Sequence, residues 1–187
     1  MTTMGLPFND SPIIFTKSAK LNLHTARATE FSHRATLKLL EIFMKKVKLY
    51  TDGACRGNPG RGGWGAILVY GSYEKELSGG SPETTNNRME LLAAIEGLAA
   101  LKEPCEVELY SDSKYLVDAH NEGWVESWRA HGWRRGKDEL KNPDLWQRLY
   151  ELTSMHKVTF IWVKGHNGHD YNERCDALAT AYADSFL

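Results

Sequence analysis

A chain of 187 residues suits one domain of ordinary size with an appendage. Hydrophobic residues make up 42% and charged ones 25%, the balance of a globular protein, and no apolar run approaches the roughly 20 residues that span a membrane. A formal charge of −1 excludes a globally basic nucleic-acid binder, but not a local basic patch that steers a polyanion.

Residues 1–43 mix Ser, Thr, Pro and His with scattered charges and lack the apolar stretch of a secretory signal. They are expected to be a disordered extension or the product of a misassigned start ahead of Met44. Arg27, Arg34 and Lys38 among hydroxyl residues leave organelle targeting as the alternative. The folded domain is expected over residues 44–187. Three cysteines, Cys55, Cys105 and Cys175, match neither a zinc spacing nor a disulfide framework, which predicts a reducing, cytoplasmic setting.

From residue 45 the pattern sharpens. Val47, Leu49 and Thr51 alternate with Lys48, Tyr50 and Asp52, the period of a strand. A loop rich in Gly, Asn and Pro is expected after Asp52, leaving that carboxylate at the lip of a sheet; taken alone, it is equally a turn residue. Gly65–Tyr70 and Tyr73–Gly79 predict two more strands and an antiparallel meander. Thr84, Thr85, Asn86 and Asn87 are N-cap candidates for a helix over Arg88–Lys102. Glu90 shares a stripe with Ala93, Ala94 and Gly97, small residues that let a helix lie close to a sheet. A glutamate favoured by the helix dipole is the alternative there.

Val107–Tyr110 predicts a fourth strand, which runs into Asp112 at its carboxyl end. Open α/β sheets place their sites there, although Asp112 or Ser113 could equally cap the helix that follows to Asn121. Trp124–Lys141 interleaves Trp124, Trp128 and Trp133 with Arg129, His131, Arg134, Arg135, Lys137 and Lys141. That mixture suits a nucleic-acid backbone, with Trp128 expected partly in the core. Asn142 and Pro143 start another helix. Val158–Val163 predicts the fifth strand, followed by a Gly/His loop and a last helix capped by Asn172 and carrying Asp176. The element order predicts a mixed α/β fold, a five-stranded sheet with three antiparallel strands and flanking helices.

With these motifs assembled, the chain resembles ribonuclease H of the bacterial type 1 family. The matching runs are Thr51–Gly60, Thr85–Leu91, Ser111–Ser113, Asp144–Trp146, Trp162–His166 and Asn172–Asp176. They lie in order between about residue 46 and about residue 182, and the resemblance does not reach residues 1–43. It implies the ribonuclease H-like fold and an endoribonuclease, expected as a monomer, that cleaves the RNA strand of RNA–DNA hybrids. Asp52, Glu90, Asp112 and Asp176 would hold two Mg²⁺ or Mn²⁺ ions, roughly 3.5–4 Å apart, with Asp52 between them. The products would carry 5′-phosphate and 3′-hydroxyl ends. His166 would assist proton transfer or product release.

The resemblance also implies substrate contacts. Cys55, Gly57, Asn58, Asn86, Asn87 and Lys114 would face the RNA strand, whose 2′-hydroxyls distinguish it. Thr85 and Asn142 would grip a DNA phosphate, and Trp124 with Tyr115 would wall off DNA sugars. Lys114 stands where the family often has Gln, and the spacing from Asp112 to Trp128 is one residue longer than its commonest pattern. Other nucleases of the same fold, an integrase, transposase or junction resolvase, share clustered acids without the Asn-rich set. A non-catalytic hybrid-binding module would not require all four carboxylates.

Overall fold

The computed structural model describes residues 44–165 and 167–186. The expectation for residues 1–43 lies outside them. Strands β1 (Lys45–Gly57), β2 (Gly60–Tyr70) and β3 (Tyr73–Thr84) form the expected antiparallel meander. Helix α1 (Asn86–Ala99) follows, then β4 (Cys105–Ser111), α2 (Lys114–Asn121) and α3 (Trp124–Ala130). Two-residue strands β5 (Arg134–Arg135) and β6 (Asp138–Glu139) make a small hairpin. The chain continues with α4 (Pro143–Met155), β7 (Lys157–Trp162) and α5 (Asp170–Asp184). The sheet order is β3-β2-β1-β4-β7, with β1–β4 and β4–β7 parallel. This is the mixed five-stranded α/β sheet expected from the sequence. Among the described residues no helix is long and apolar enough to cross a membrane.

Alternation along β1 sends Val47, Leu49 and Thr51 to one face and Tyr50 and Asp52 to the other. The first face carries the larger core, with Leu49, Leu91, Leu98, Leu109 and Leu149 fully buried. Each such leucine contributes about 1.5–3 kcal/mol by leaving water. The expected small-residue stripe works as reasoned: a Cβ on Gly97 would lie 2.6 Å from Leu49 Cδ1, so α1 rests directly on β1. The second face is covered by α5, where Tyr50, Ile67 and Cys175 form a smaller cluster.

Three local expectations are corrected. Asp52 does not end its strand: β1 continues through the Gly/Asn segment to Gly57, and β2 begins at Gly60 rather than Gly65. Two of the glycines that read as loop are hemmed in from opposite faces: a Cβ on Gly63 would meet the Ala179 carbonyl oxygen of α5 at 2.1 Å, and one on Gly62 would meet Thr84 Cγ2 at 2.4 Å and Met89 Cγ of α1 at 2.9 Å. Asn172 does not cap the last helix, which starts at Asp170 behind the N-cap His169. Asn142 is the N-cap of α4, but its side chain does not cap; it bonds elsewhere, as described below.

Candidate active site

The last rung of the β1–β4 parallel ladder is Thr51↔Ser111. Beyond it β4 ends and Asp112 leaves the sheet, while β1 runs on, with Asp52 paired to Gly65 of β2. Both aspartates therefore stand just past the end of the parallel ladder, Asp112 at the carboxyl end of its strand as sequence reasoning assigned and Asp52 within a strand that continues. Asp176 arrives on α5 and Glu90 on α1, from opposite faces of the sheet. Gly53 makes that meeting feasible: a Cβ there would lie 2.4 Å from the Glu90 backbone nitrogen. All four carboxylates line one hollow, together with Gly53, Ala54, Cys55, Arg56, Asn86 and Thr180.

Each carboxylate is held by neighbours. Ser113 Oγ donates to Glu90 Oε2 at 2.5 Å and accepts from the Leu116 N–H at 3.2 Å, so one hydroxyl caps α2 and fixes Glu90. Asn86 Nδ2 donates to Glu90 Oε1 at 2.8 Å. Asp52 Oδ1 accepts from the Gly53 N–H at 2.7 Å. Asn172 is 3% exposed and directs Nδ2 to Asp112 Oδ2 at 3.4 Å, while Trp162 Nε1 donates to the Asp112 carbonyl at 3.0 Å. Underneath, the Tyr50 ring stacks on Tyr110 at 4.8 Å and on Tyr171 at 4.4 Å. Those tyrosines precede Asp52, Asp112 and Asp176 on their respective elements, so the stack fixes three of the segments that carry the acids.

Burial and mutual repulsion dominate the electrostatics. Burial pushes the Asp52 carboxyl up to about 8; the charges of Asp112, Asp176 and Glu90 add to it, and the Gly53 hydrogen bond opposes it. Burial likewise raises Glu90, against the hydrogen bonds from Ser113 and Asn86. The donor set is entirely carboxylate oxygen, which suits hard cations such as Mg²⁺ or Mn²⁺ and no soft metal. Among the described residues, no three His, Cys, Asp or Glu side chains are drawn close enough to hold an ion as they stand. Both Glu90 oxygens are engaged by Ser113 and Asn86, and the acids repel one another.

Of the other sequence-predicted residues, Cys55 and Asn86 join the acidic hollow. Asn58, Thr85, Asn87 and Asn142 line a second hollow with Lys141. Asn142 adopts φ 56°, a left-handed conformation that Asn tolerates. Its Nδ2 donates to Tyr115 Oη at 3.3 Å, and Tyr115 Oη also accepts from Trp146 Nε1 at 2.9 Å. Trp124 is 45% exposed and lines a third hollow with Ser127, Trp128 and Arg135; Trp128 is buried, as expected. Gly57 turns the chain with φ 97°, open only to glycine. Lys114 lies over the Trp162 ring at 5.3 Å. His166 lies outside the described residues.

The sequence profile of the family described as RNase H matches residues 44–184. The chain belongs to the RNase H family. It is an enzyme of the ribonuclease H type and hydrolyses RNA–DNA hybrids. A ribonuclease H of Acetivibrio thermocellus is 62% identical over 138 residues, covering 73% of this chain and 94% of that protein. One of Erythrobacter litoralis is 63% identical over 142 residues, covering 75% and 98%. Among solved structures, LC9-RNase H1, a type 1 RNase H with the type 2 active-site motif, superposes with a TM-score of 0.69 at 32% identity, covering 77% of this chain and 74% of that one. The N-terminal RNase H domain of a Mycobacterium tuberculosis protein gives 0.57 at 27% identity, covering 76% and 96%.

Sequence reasoning missed several residues around this hollow. Nothing local flagged Ser113 as a partner of Glu90, or Trp162 as a donor to Asp112. Thr180 was findable, because Asn172, Asp176, Thr180 and Asp184 recur every four residues and share one helical stripe.

Proposed function

We propose that Asp52, Glu90, Asp112 and Asp176 carry hydrolysis of the RNA strand in concert with two divalent cations, Mg²⁺ or Mn²⁺, leaving 5′-phosphate and 3′-hydroxyl ends. The observation behind this reading is the convergence of four carboxylates from β1, α1, the end of β4 and α5 on one hollow. Burial, with the charges of Asp112, Asp176 and Glu90 added to it, raises Asp52 and favours occupation of the hollow by cations. Bound there, such ions supply the positive charge that activates an attacking water and stabilises the leaving oxygen.

The protein's own contribution is position. Ser113 and Asn86 fix Glu90, and Asn172 orients Asp112. Burial of Asp52 at 7% exposure keeps bulk water from screening it. Thr85 and Asn142, with Lys141 beside them, present donors for a DNA phosphate. Cys55, Gly57, Asn58, Asn86, Asn87 and Lys114 face the RNA strand, and Trp124 with Tyr115 packs against DNA sugars. His166 handles a proton or the product on the strength of the resemblance alone. Residues 44–187 form the catalytic unit and act as a monomer in the cytoplasm, and residues 1–43 are dispensable for chemistry.

Cleavage of a labelled RNA–DNA hybrid in Mg²⁺ tests this reading, with Asp52→Asn alongside. The native chain should cleave only the RNA strand, and the variant should not. Equal cleavage by both, or cleavage of duplex DNA instead, contradicts it. Removing residues 1–43 should change the rate less than about twofold.

A further inference from the structure

Beyond Asp52, alternation along β1 places Asp52, Ala54 and Arg56 on one face. The stripe Asn172, Asp176, Thr180 and Asp184 of α5 lies over that face. The two rows meet at their far end, where Arg56 Nε donates to Asp184 Oδ1 at 2.8 Å and Nη2 to Oδ2 at 2.8 Å. Arg56 also lines the hollow that holds the four carboxylates, and it is the one cation in that lining among the described residues. Its side chain is 47% exposed and that of Asp184 is 42% exposed.

A hollow walled by four carboxylates repels a phosphodiester, and a guanidinium in its lining offsets part of that repulsion. The bond to Asp184 does not lock Arg56 away. An ion pair this exposed contributes little, because water solvates both partners when they separate. Asp184 offers two oxygens to the planar fork of Arg56, and a phosphate offers the same geometry. Exchange of one acceptor for the other therefore loses little and needs only a side-chain rotation.

We propose that Arg56 contacts a phosphate of the RNA strand beside the cleaved bond, with Asp184 as the competing acceptor that gives it up when substrate arrives. This rests on the reading that the carboxylate hollow cleaves RNA. The alternative role, a clamp that ties the end of α5 to β1, makes a different prediction. Loss of either partner breaks a clamp equally, whereas in our proposal the two losses act in opposite directions.

The test is hybrid binding by fluorescence anisotropy without divalent cations, over a range of salt, for the full chain and for Arg56→Gln, Asp184→Asn and the double variant. Arg56→Gln should weaken binding about 5- to 10-fold and lower the slope of log affinity against log salt by about 1. Asp184→Asn should tighten binding about twofold in the native background and not at all in the Arg56→Gln background. Weakening by both single variants supports the clamp and overturns the proposal. A gain from Asp184→Asn that is the same in both backgrounds reflects net charge alone and also overturns it. No effect of Arg56→Gln does so as well. Cleavage of hybrid by the native chain, measured alongside, separates failure of this contact from failure of the reading it rests on.

Discussion

Asp52 sits on the central strand of the sheet and is 7% exposed, whereas Trp124 sits on a seven-residue helix and is 45% exposed. The neighbours of Asp52 come from distant parts of the chain: Glu90 on α1, Asp112 beyond β4 and Asp176 on α5. Those of Trp124, namely Ser127, Trp128 and Arg135, come from the same short stretch. The carboxylates are thus placed by the sheet register and the core; the Trp124–Lys141 segment is tied to that core at Trp128, and its outward side chains are placed by local turns and a hairpin of two-residue strands. In the proposed function, the chemistry, which needs groups fixed against their mutual repulsion, falls where moving them would disrupt the core. In the proposed function, contact with a long, flexible polyanion falls where side chains can adapt.

Four substitutions or conditions separate the two regions. Asp52→Asn should reduce hybrid cleavage by about 10³-fold or more while the fold is retained, because it removes charge from the cluster without removing volume. Steady-state cleavage with circular dichroism checks both halves. Ser113→Ala should lower the rate about tenfold and cost about 1–2 kcal/mol, since one hydroxyl caps α2 and holds Glu90. Ser113→Thr, which keeps the hydroxyl, should recover most of both.

A third prediction concerns pH. The folded-state value for Asp52 lies above its unfolded value, so the folded protein holds that proton more tightly. Its contribution to stability is full below about pH 4 and is lost progressively as pH rises through about 8. Urea unfolding of the metal-free protein should show this loss, and Asp52→Asn should lack it. The smallest effect belongs to α3: Trp124→Ala should raise KM about fivefold, leave kcat within about twofold and change stability by less than about 0.5 kcal/mol. A loss of stability as large as that of Ser113→Ala would show that the Trp124 ring is held by packing rather than left free at the surface.

The legible and illegible parts of the sequence divide along the same line. Strand and helix order followed from period and punctuation, because Val47–Thr51, Val107–Tyr110 and the Ala93–Gly97 stripe each repeat the spacing of their element. The extent of β1 and β2 did not, since Arg61–Trp64 looks like loop composition, and its glycines are set by close approach of α5 at Gly63 and of Thr84 and Met89 at Gly62. Asp112 was readable as a strand-end carboxylate. Its partner Asn172 was not, because the contact joins residues 60 apart in the chain through tertiary packing. The β5–β6 hairpin also escaped notice: two residues per strand leave no period to read.

The central claim is that four carboxylates are held together at a cost that divalent cations relieve. Thermal unfolding of the native chain and Asp52→Asn at pH 8, with and without saturating Mg²⁺, tests it without relying on turnover. Without Mg²⁺ the variant should melt about 4–8 °C above the native chain; Mg²⁺ should raise the native chain more than the variant and narrow the gap. Equal melting temperatures without the ion, together with equal shifts on adding it, would contradict the account.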